Sequence, residues 1–334
     1  MANNNKKNDS EISKSMTNLN ISSNDNKIKF NKKDIPKPIL KWIGGKTQII
    51  EKILSEIPKK FKNYHELFIG GGSVLIAVLW ARNKNLIEIE NSINAYDLNT
   101  ALIYTYINIQ KNKDNLYQNI SKLIKEYFEC KIDGKKNRNP INKEEALSSR
   151  ESYYFWIRKQ YNQLTDKKTI EASSYFIFMN KTGFRGMYRE GPNGFNIPYG
   201  NYKNPKILEK EELDYISDLI QDVKFEVSDF SNSFEKIKDG DFTYLDPPYA
   251  PENSKSFVKY NQDGFGLEQH KNLFTRCNKI KSPTKFIMSN ANVPLVKECL
   301  PEENFNYQVI ECRRAINSTN PAAKTEEVII KNYE

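Results

Sequence analysis

Four cysteines and two histidines are all that a chain of 334 residues carries. Cys130, Cys277, Cys299 and Cys312 form no CxxC pair and no disulfide spacing, and His65 and His270 are too few for a His-based zinc site, so no metal is expected. No apolar run reaches the roughly 18 residues that cross a bilayer. The polar N-terminus lacks the apolar stretch of a secretory leader. A membrane protein and a secreted one are therefore set aside, and a cytoplasmic, intracellular location is expected. What the chain does have is positive charge: Lys+Arg 51 against Asp+Glu 42 leaves +9 and favours a polyanionic partner. The content is 38% hydrophobic and 12% aromatic, enough for a core, and the length suits two domains or one large domain with an insertion.

Residues 1–34 hold nine Asn and seven Lys among isolated apolar residues and read as a disordered polar tail. Order is expected from Ile35. Residues 63–69 (NYHELFI) read as a strand entering a glycine turn, 73–82 (SVLIAVLWAR) as a buried helix, and 92–97 (SINAYD) as a second strand ending in an acid. That succession predicts a Rossmann-like unit. Leu116, Ile120, Leu123, Ile124, Tyr127 and Phe128 then fall at helical spacing, as do Tyr153, Trp156, Ile157, Tyr161 and Leu164. Residues 171–180 form a further apolar helix candidate, and polar 131–145, with Gly134 and Pro140, a loop. The Gly- and Arg-rich segment 183–202 (GFRGMYREGPNGFNIPYGNY) suits a hairpin. Strand signals return at 223–228, 241–245, 284–289, 307–313 and 326–331, the last two as an antiparallel edge hairpin. The fold class is α/β, a sheet interrupted by a mostly helical insertion.

The most informative string is Asp246-Pro247-Pro248-Tyr249, directly after an apolar strand. Strand ends are where α/β sheets place ligands. Two prolines stiffen the backbone and leave carbonyls free to accept. A carboxylate beside a proline carbonyl makes an acceptor pair for an NH2 group, and Tyr249 offers a flat face for a base. A second cluster, Phe68-Ile69-Gly70-Gly71-Gly72-Ser73 after Glu66, lets a ligand approach the backbone ahead of a helix N-terminus. Asp97 could accept from a ribose diol, and Asp229-Phe230 offers an acceptor and an apolar face for an adenine ring. A third, Lys41-Trp42-Ile43-Gly44-Gly45-Lys46, lacks the GxxxxGK[ST] spacing of an NTPase loop. His65 and His270 have no partner that spacing identifies.

Taken in order, KWIGGK, ELFIGGGS, Asp97, FRGMYREGPNGFNIPYG and DPPY resemble a Dam-type DNA adenine methyltransferase, of the group whose cofactor motif precedes the target-recognition insertion and whose DPPY follows it. The likeness runs from Pro38 to Tyr333, and the stretch from Arg313 to Glu327 resembles the family's C-terminal segment. The resemblance implies a Rossmann-like S-adenosylmethionine-dependent sheet, with a tail at 1–34, a catalytic domain split into 35–104 and 213–334, and a target-recognition domain at 105–212. It implies that Trp42, Lys46, Phe68, Gly70, Gly72, Asp97, Asp229, Phe230 and Asp246 bind S-adenosyl-L-methionine. Lys41, Phe184, Arg185, Met187, Arg189, Pro198 and Tyr202 would face double-stranded DNA, Phe184 as a wedge and Arg189 as a guanine reader. Arg185 stands where many relatives have Asn, and the recognition segment is one residue shorter after Arg189. The expected target is GATC-like or another four-base site such as CATG.

The implied chemistry follows from the acceptor. An amine inside a duplex must be flipped out. Asp246 and the Pro247 carbonyl would accept from it, Tyr249 would stack on the base, and transfer would be direct and in line, aided by proximity and electrostatics. Cytosine ring-carbon methylation needs a Cys, usually after a Pro, but Glu or Arg precedes all four cysteines. The alternatives are methylation of a cytosine amino group or a protein glutamine amide and, outside enzymes, a DNA-binding protein with a vestigial fold. The resemblance also implies a monomer and a restriction endonuclease that shares the site without stable contact.

Overall fold

A computed structural model describes residues 30–251, 265–313 and 324–334. Most of the expected tail, and part of the stretch from Arg313 to Glu327, lie outside the described residues. The tail's last five residues do not behave as a tail. Phe30 meets Trp80 edge-on at 5.7 Å, and Asn31 caps a short turn at Lys32–Asp34. The folded body thus includes Phe30, because an indole is available to receive its ring.

The principal sheet has seven strands, numbered here along the chain: β1 (Tyr64–Glu66), β2 (Ile93–Asp97), β3 (Val223–Val227), β4 (Phe242–Leu245), β5 (Lys285–Ala291), β6 (Asn306–Arg313) and β7 (Lys324–Lys331). Their spatial order is β6-β7-β5-β4-β1-β2-β3. The five strands from β5 to β3 run parallel, and β7 lies antiparallel between β5 and β6. The expected edge hairpin therefore forms, with β6 as the true edge. In β1 every residue is buried, as is expected of a parallel strand covered on both faces.

The helices are α1 (Ile50–Glu56), α2 (Ser73–Asn83), α3 (Thr100–Lys111), α4 (Lys113–Glu129), α5 (Lys143–Ala146), α6 (Arg150–Gln163), α7 (Ile170–Thr182), α8 (Lys210–Leu219), α9 (Phe230–Phe234), α10 (Leu267–Lys279) and α11 (Pro294–Cys299). In α2, Val74 to Ala81 are all buried, which explains why the segment shows apolar density and little amphipathic stripe. Between β2 and β3 the chain makes the helical excursion that the sequence predicts. In α4, Leu116, Ile120, Leu123 and Tyr127 face inward at helical spacing, while Phe128 remains 40% exposed. Side-chain caps start several helices: Asn99 for α3, Ser149 for α6, Thr169 for α7. The predicted loop 131–145 also contains the start of α5, capped by Asn142.

The segment 183–202 is a minimal hairpin. Its ladder is two residues on each side, Glu190–Gly191 with Gly194–Phe195, and a Gly183–Tyr199 bridge closes its base. A 3-10 turn at Phe184–Gly186 precedes it. Among the described residues no helix is long and apolar enough to cross a membrane.

Candidate active site

The loops that leave the C-terminal ends of β1, β2, β3 and β4 converge with the 42–49 segment on a cavity of 1620 Å³. Asp246, Pro247 and Tyr249 line it, as do Trp42, Lys46, Phe68, Gly70, Asp97, Asp229 and Phe230. Gly72 is the exception among the residues assigned to the cofactor. It starts α2 in the left-handed region at φ +69°, and a Cβ there would come within 2.6 Å of the Tyr106 hydroxyl, so it serves turn and packing. Gly70, at φ +47°, lets the Trp42 indole lie against the turn; a Cβ would sit 2.8 Å from Trp42 Cδ1. Lys46 N–H donates to Ser73 Oγ at 3.0 Å, tying the two glycine-rich loops together.

Asp97 closes β2 and accepts from Gly70 N–H at 3.1 Å and Asn99 N–H at 3.0 Å. Burial raises its pKa above the ordinary carboxylate value in spite of these bonds. Phe68 and Phe230 stack at 5.7 Å, and Phe265 closes the group at 5.9 and 5.6 Å. Asp229 caps α9 through Ser231 N–H at 2.9 Å. A carboxylate at a strand end beside a cluster of aromatic rings offers an acceptor and an apolar face, which fit a nucleoside with a diol.

Asp246 pairs with Lys46, whose Nζ lies 2.7 Å from Oδ2 and also donates to the Gly44 carbonyl. The same ammonium stands 5.0 Å from the centre of the Tyr249 ring. Burial pushes Asp246 up to about 6 against the pull of Lys46, with the charge of Glu327 adding to the rise. Glu66, 2% exposed, is pushed by burial to about 8, opposed by the Tyr64 hydroxyl that donates to it at 2.7 Å.

Several residues here escaped sequence reasoning. His270 is not idle: its Nε2 lies 3.0 Å from the Pro248 carbonyl and its Nδ1 2.9 Å from that of Gly266. Asn290, fully buried, accepts from Ala250 N–H at 3.1 Å, and Glu327 accepts from the Tyr249 hydroxyl at 2.8 Å. Tyr188 stacks on Trp42 at 6.0 Å. Contacts made to backbone carbonyls or across the sheet leave no periodic signal. Only the C-terminal likeness reached as far as Glu327.

Of the residues assigned to DNA, Arg185 and Met187 reach the cavity lining. Asn180 clamps both ends of the Lys41 backbone, accepting from its N–H at 2.8 Å and donating to its carbonyl at 2.7 Å and to that of Gly186 at 3.1 Å. Lys41 Nζ covers the Tyr202 ring at 4.7 Å, and Tyr202 Oη accepts from Arg185 N–H. Phe184 is 43% exposed, its N–H donates to the Pro198 carbonyl at 2.9 Å, and the Arg185 guanidinium lies 5.2 Å from its ring. Arg185 itself sits at φ +55°. Arg189 lies farther along the hairpin, outside the cavity lining, where its Nε donates to Asn196 Oδ1 at 2.7 Å. Among the described residues no cluster of His, Cys, Asp or Glu is placed to hold a metal ion.

Comparison with known proteins agrees with this geometry. The chain is 33% identical over 309 residues to the type II methyltransferase M.MjaIII of Methanocaldococcus jannaschii, covering 89% of this chain and 99% of that one. It is 30% identical over 305 residues to M1.LlaDCHI of Lactococcus lactis subsp. cremoris, covering 89% and 95%. With the DNA adenine methylase of Escherichia coli K12 it shares 25% over 298 residues, covering 88% and 94%. Residues 42–316 match the model of the D12 class N6 adenine-specific DNA methyltransferases, and the chain belongs to that family, an enzyme that methylates adenine in DNA.

Proposed function

We propose that Asp246, the Pro247 carbonyl and Tyr249 hold a flipped adenine by its amino group while S-adenosyl-L-methionine lies across Asp97 and the Phe68–Phe230 pair. One observation carries this reading. A nitrogen donor is already held there, because Lys46 Nζ is 2.7 Å from Asp246 Oδ2 and 5.0 Å from the centre of the Tyr249 ring. The ammonium stands where the amine would, which supports a site in which one nitrogen meets the carboxylate and the aromatic face together.

Trp42, Lys46, Phe68, Gly70, Asp97, Asp229 and Phe230 would hold the cofactor, which when bound supplies a methyl group on a sulfonium. Lys46 gives up Asp246 as the base enters. Asp246 and the Pro247 carbonyl then accept the two amine hydrogens, which draws the N6 lone pair out of ring conjugation and aims it at the methyl group. The amine would lose a proton as it is methylated, and a carboxyl pushed up to about 6 is suited to receive it near neutral pH. The Tyr249 ring fixes the plane of the base. No covalent nucleophile is required.

Residues 105–212 act as the target-recognition domain. Lys41, Arg185, Met187, Pro198 and Tyr202 face the backbone and groove, Phe184 enters the stack, and Arg189 reads guanine in a GATC-like or CATG-like site. The enzyme works as an intracellular monomer, with a restriction endonuclease of the same specificity as its counterpart. Labelled methyl transfer to duplex DNA, followed by nucleoside analysis, tests the acceptor. N6-methyldeoxyadenosine is expected; label on cytosine, or on protein glutamine, would overturn the reading.

A further inference from the structure

The hydroxyl of Tyr249 donates to Glu327 Oε2 at 2.8 Å across 78 residues of sequence. Glu327 reaches it because β7 runs against the parallel strands. Its early residues therefore lie at their C-terminal ends, with Glu327 paired to Ala291 of β5 and to Ile310 of β6. Both Glu327 and Ala291 line the cavity. The backbone around Tyr249 is already held, at Pro248 by His270 and at Ala250 by Asn290. A tyrosine with a fixed backbone still chooses between rotamers. A charge-assisted bond to the far end of the ring removes that choice.

We propose that Glu327 is a positioning residue for methyl transfer, fixing the Tyr249 ring at the angle on which the target adenine stacks. This rests on the reading above, in which Tyr249 is the stacking wall. The hydroxyl is a constant donor, since burial, then the charges of Asp246 and Glu327, drive its pKa far above the ordinary phenol value. The carboxylate has a second consequence. Asp246 is faced by Lys46 at 2.7 Å, by Glu66 and Tyr244, and by Tyr249 and Glu327. In that group the negative charge of Glu327 makes Asp246 harder to ionise. Geometry and charge can be separated, because a glutamine keeps the acceptor oxygen and loses the charge.

The experiment compares pH profiles of methyl transfer to an adenine-containing duplex for the full chain and for Glu327→Ala, Glu327→Gln, Tyr249→Phe and the Glu327→Ala/Tyr249→Phe pair. Glu327→Ala should lower kcat about 10-fold with little change in KM for DNA, the expected effect of losing one charge-assisted bond. Glu327→Gln should recover most of that kcat while its acid limb moves to lower pH. Adding Glu327→Ala to Tyr249→Phe should cost nothing further in kcat, since the bond is already gone. If Glu327→Ala does not fold, Tyr249→Phe carries the test, and must reproduce the kcat loss with the acid limb unmoved. Wild-type kcat in Glu327→Ala or Tyr249→Phe, or losses that multiply in the pair, would overturn the proposal. Failure of the underlying reading would look different, as wild-type kcat in Tyr249→Ala, which removes the stacking ring itself.

Discussion

The same parallel strands carry an acid at each end, Asp241 buried and Asp246 partly buried, and the two ends are treated differently. Where β4 begins, Asp241 is 1% exposed and accepts four bonds: from His65 Nε2 at 3.0 Å, Lys238 N–H at 2.8 Å, and Asn63 through its N–H at 3.2 Å and side chain at 2.7 Å. Burial works to raise its pKa, but those donors prevail and hold it below the ordinary value. Where β4 ends, Asp246 has Lys46, and its carboxyl is pushed up to about 6. A carboxylate surrounded by fixed donors holds the sheet together. One answered by a single long side chain can exchange partners, which is what an acceptor site needs.

The largest expected effect breaks the comparison at the cavity end. Asp246→Ala should reduce kcat by about 10³-fold, on the scale of deleting a main electrostatic contact in other active sites, while DNA affinity stays near that of the wild type. Radiolabelled methyl transfer and a gel-shift titration at fixed salt measure the two halves. Turnover at the wild-type rate would refute the role given to Asp246. At the opposite end the expected loss is in stability. Asp241→Ala strips His65, Asn63 and the Lys238 amide of their acceptor, and should cost about 3 kcal/mol. Turnover per folded molecule should be unchanged. Because Asp241 is held below 3.8, its contribution is present above that pH and is lost as pH falls through the folded value. Denaturant midpoints for variant and wild type should therefore converge in acid.

The contrast also marks what could be read from the chain. Asp246 and Tyr249 were legible because two prolines after an apolar strand are a local signal, and the structure places both side chains on the cavity with the Gly70 turn and Asp97. The alternation of strands and helices was legible for the same reason, since each element carries its own periodicity. Spacing identifies no partner for His65 or His270, because their partners lie far along the chain. One answers an acid 176 residues away, and the other a backbone carbonyl 22 residues away. Gly72 lies off the cavity lining, and a glycine turn does not reveal in the sequence which glycine lines the cavity and which packs on Tyr106. Phe30 was counted with the tail because its partner, Trp80, belongs to a helix 50 residues on.

Glu66 sharpens the comparison with the smallest effect. It lies inside β1, beside the cavity, and burial, then the neighbouring charge of Asp246, push it up to about 8, while the Tyr64 hydroxyl and Lys46 pull the other way. The folded chain thus keeps a proton on Glu66 that the unfolded chain releases near 4.5. A raised folded value means stability fully present below 4.5 and lost progressively as pH climbs to about 8. Glu66→Gln retains an oxygen to accept from Tyr64 and cannot ionise. Its stability relative to the wild type should therefore rise between those two pH values and then level off, with a slope of at most about 1.4 kcal/mol per pH unit for one proton. Urea melts at half-unit pH steps would show it. Parallel curves would mean that Glu66 is ionised in the fold, and that the cavity end of the sheet is no more starved of donors than the Asp241 end.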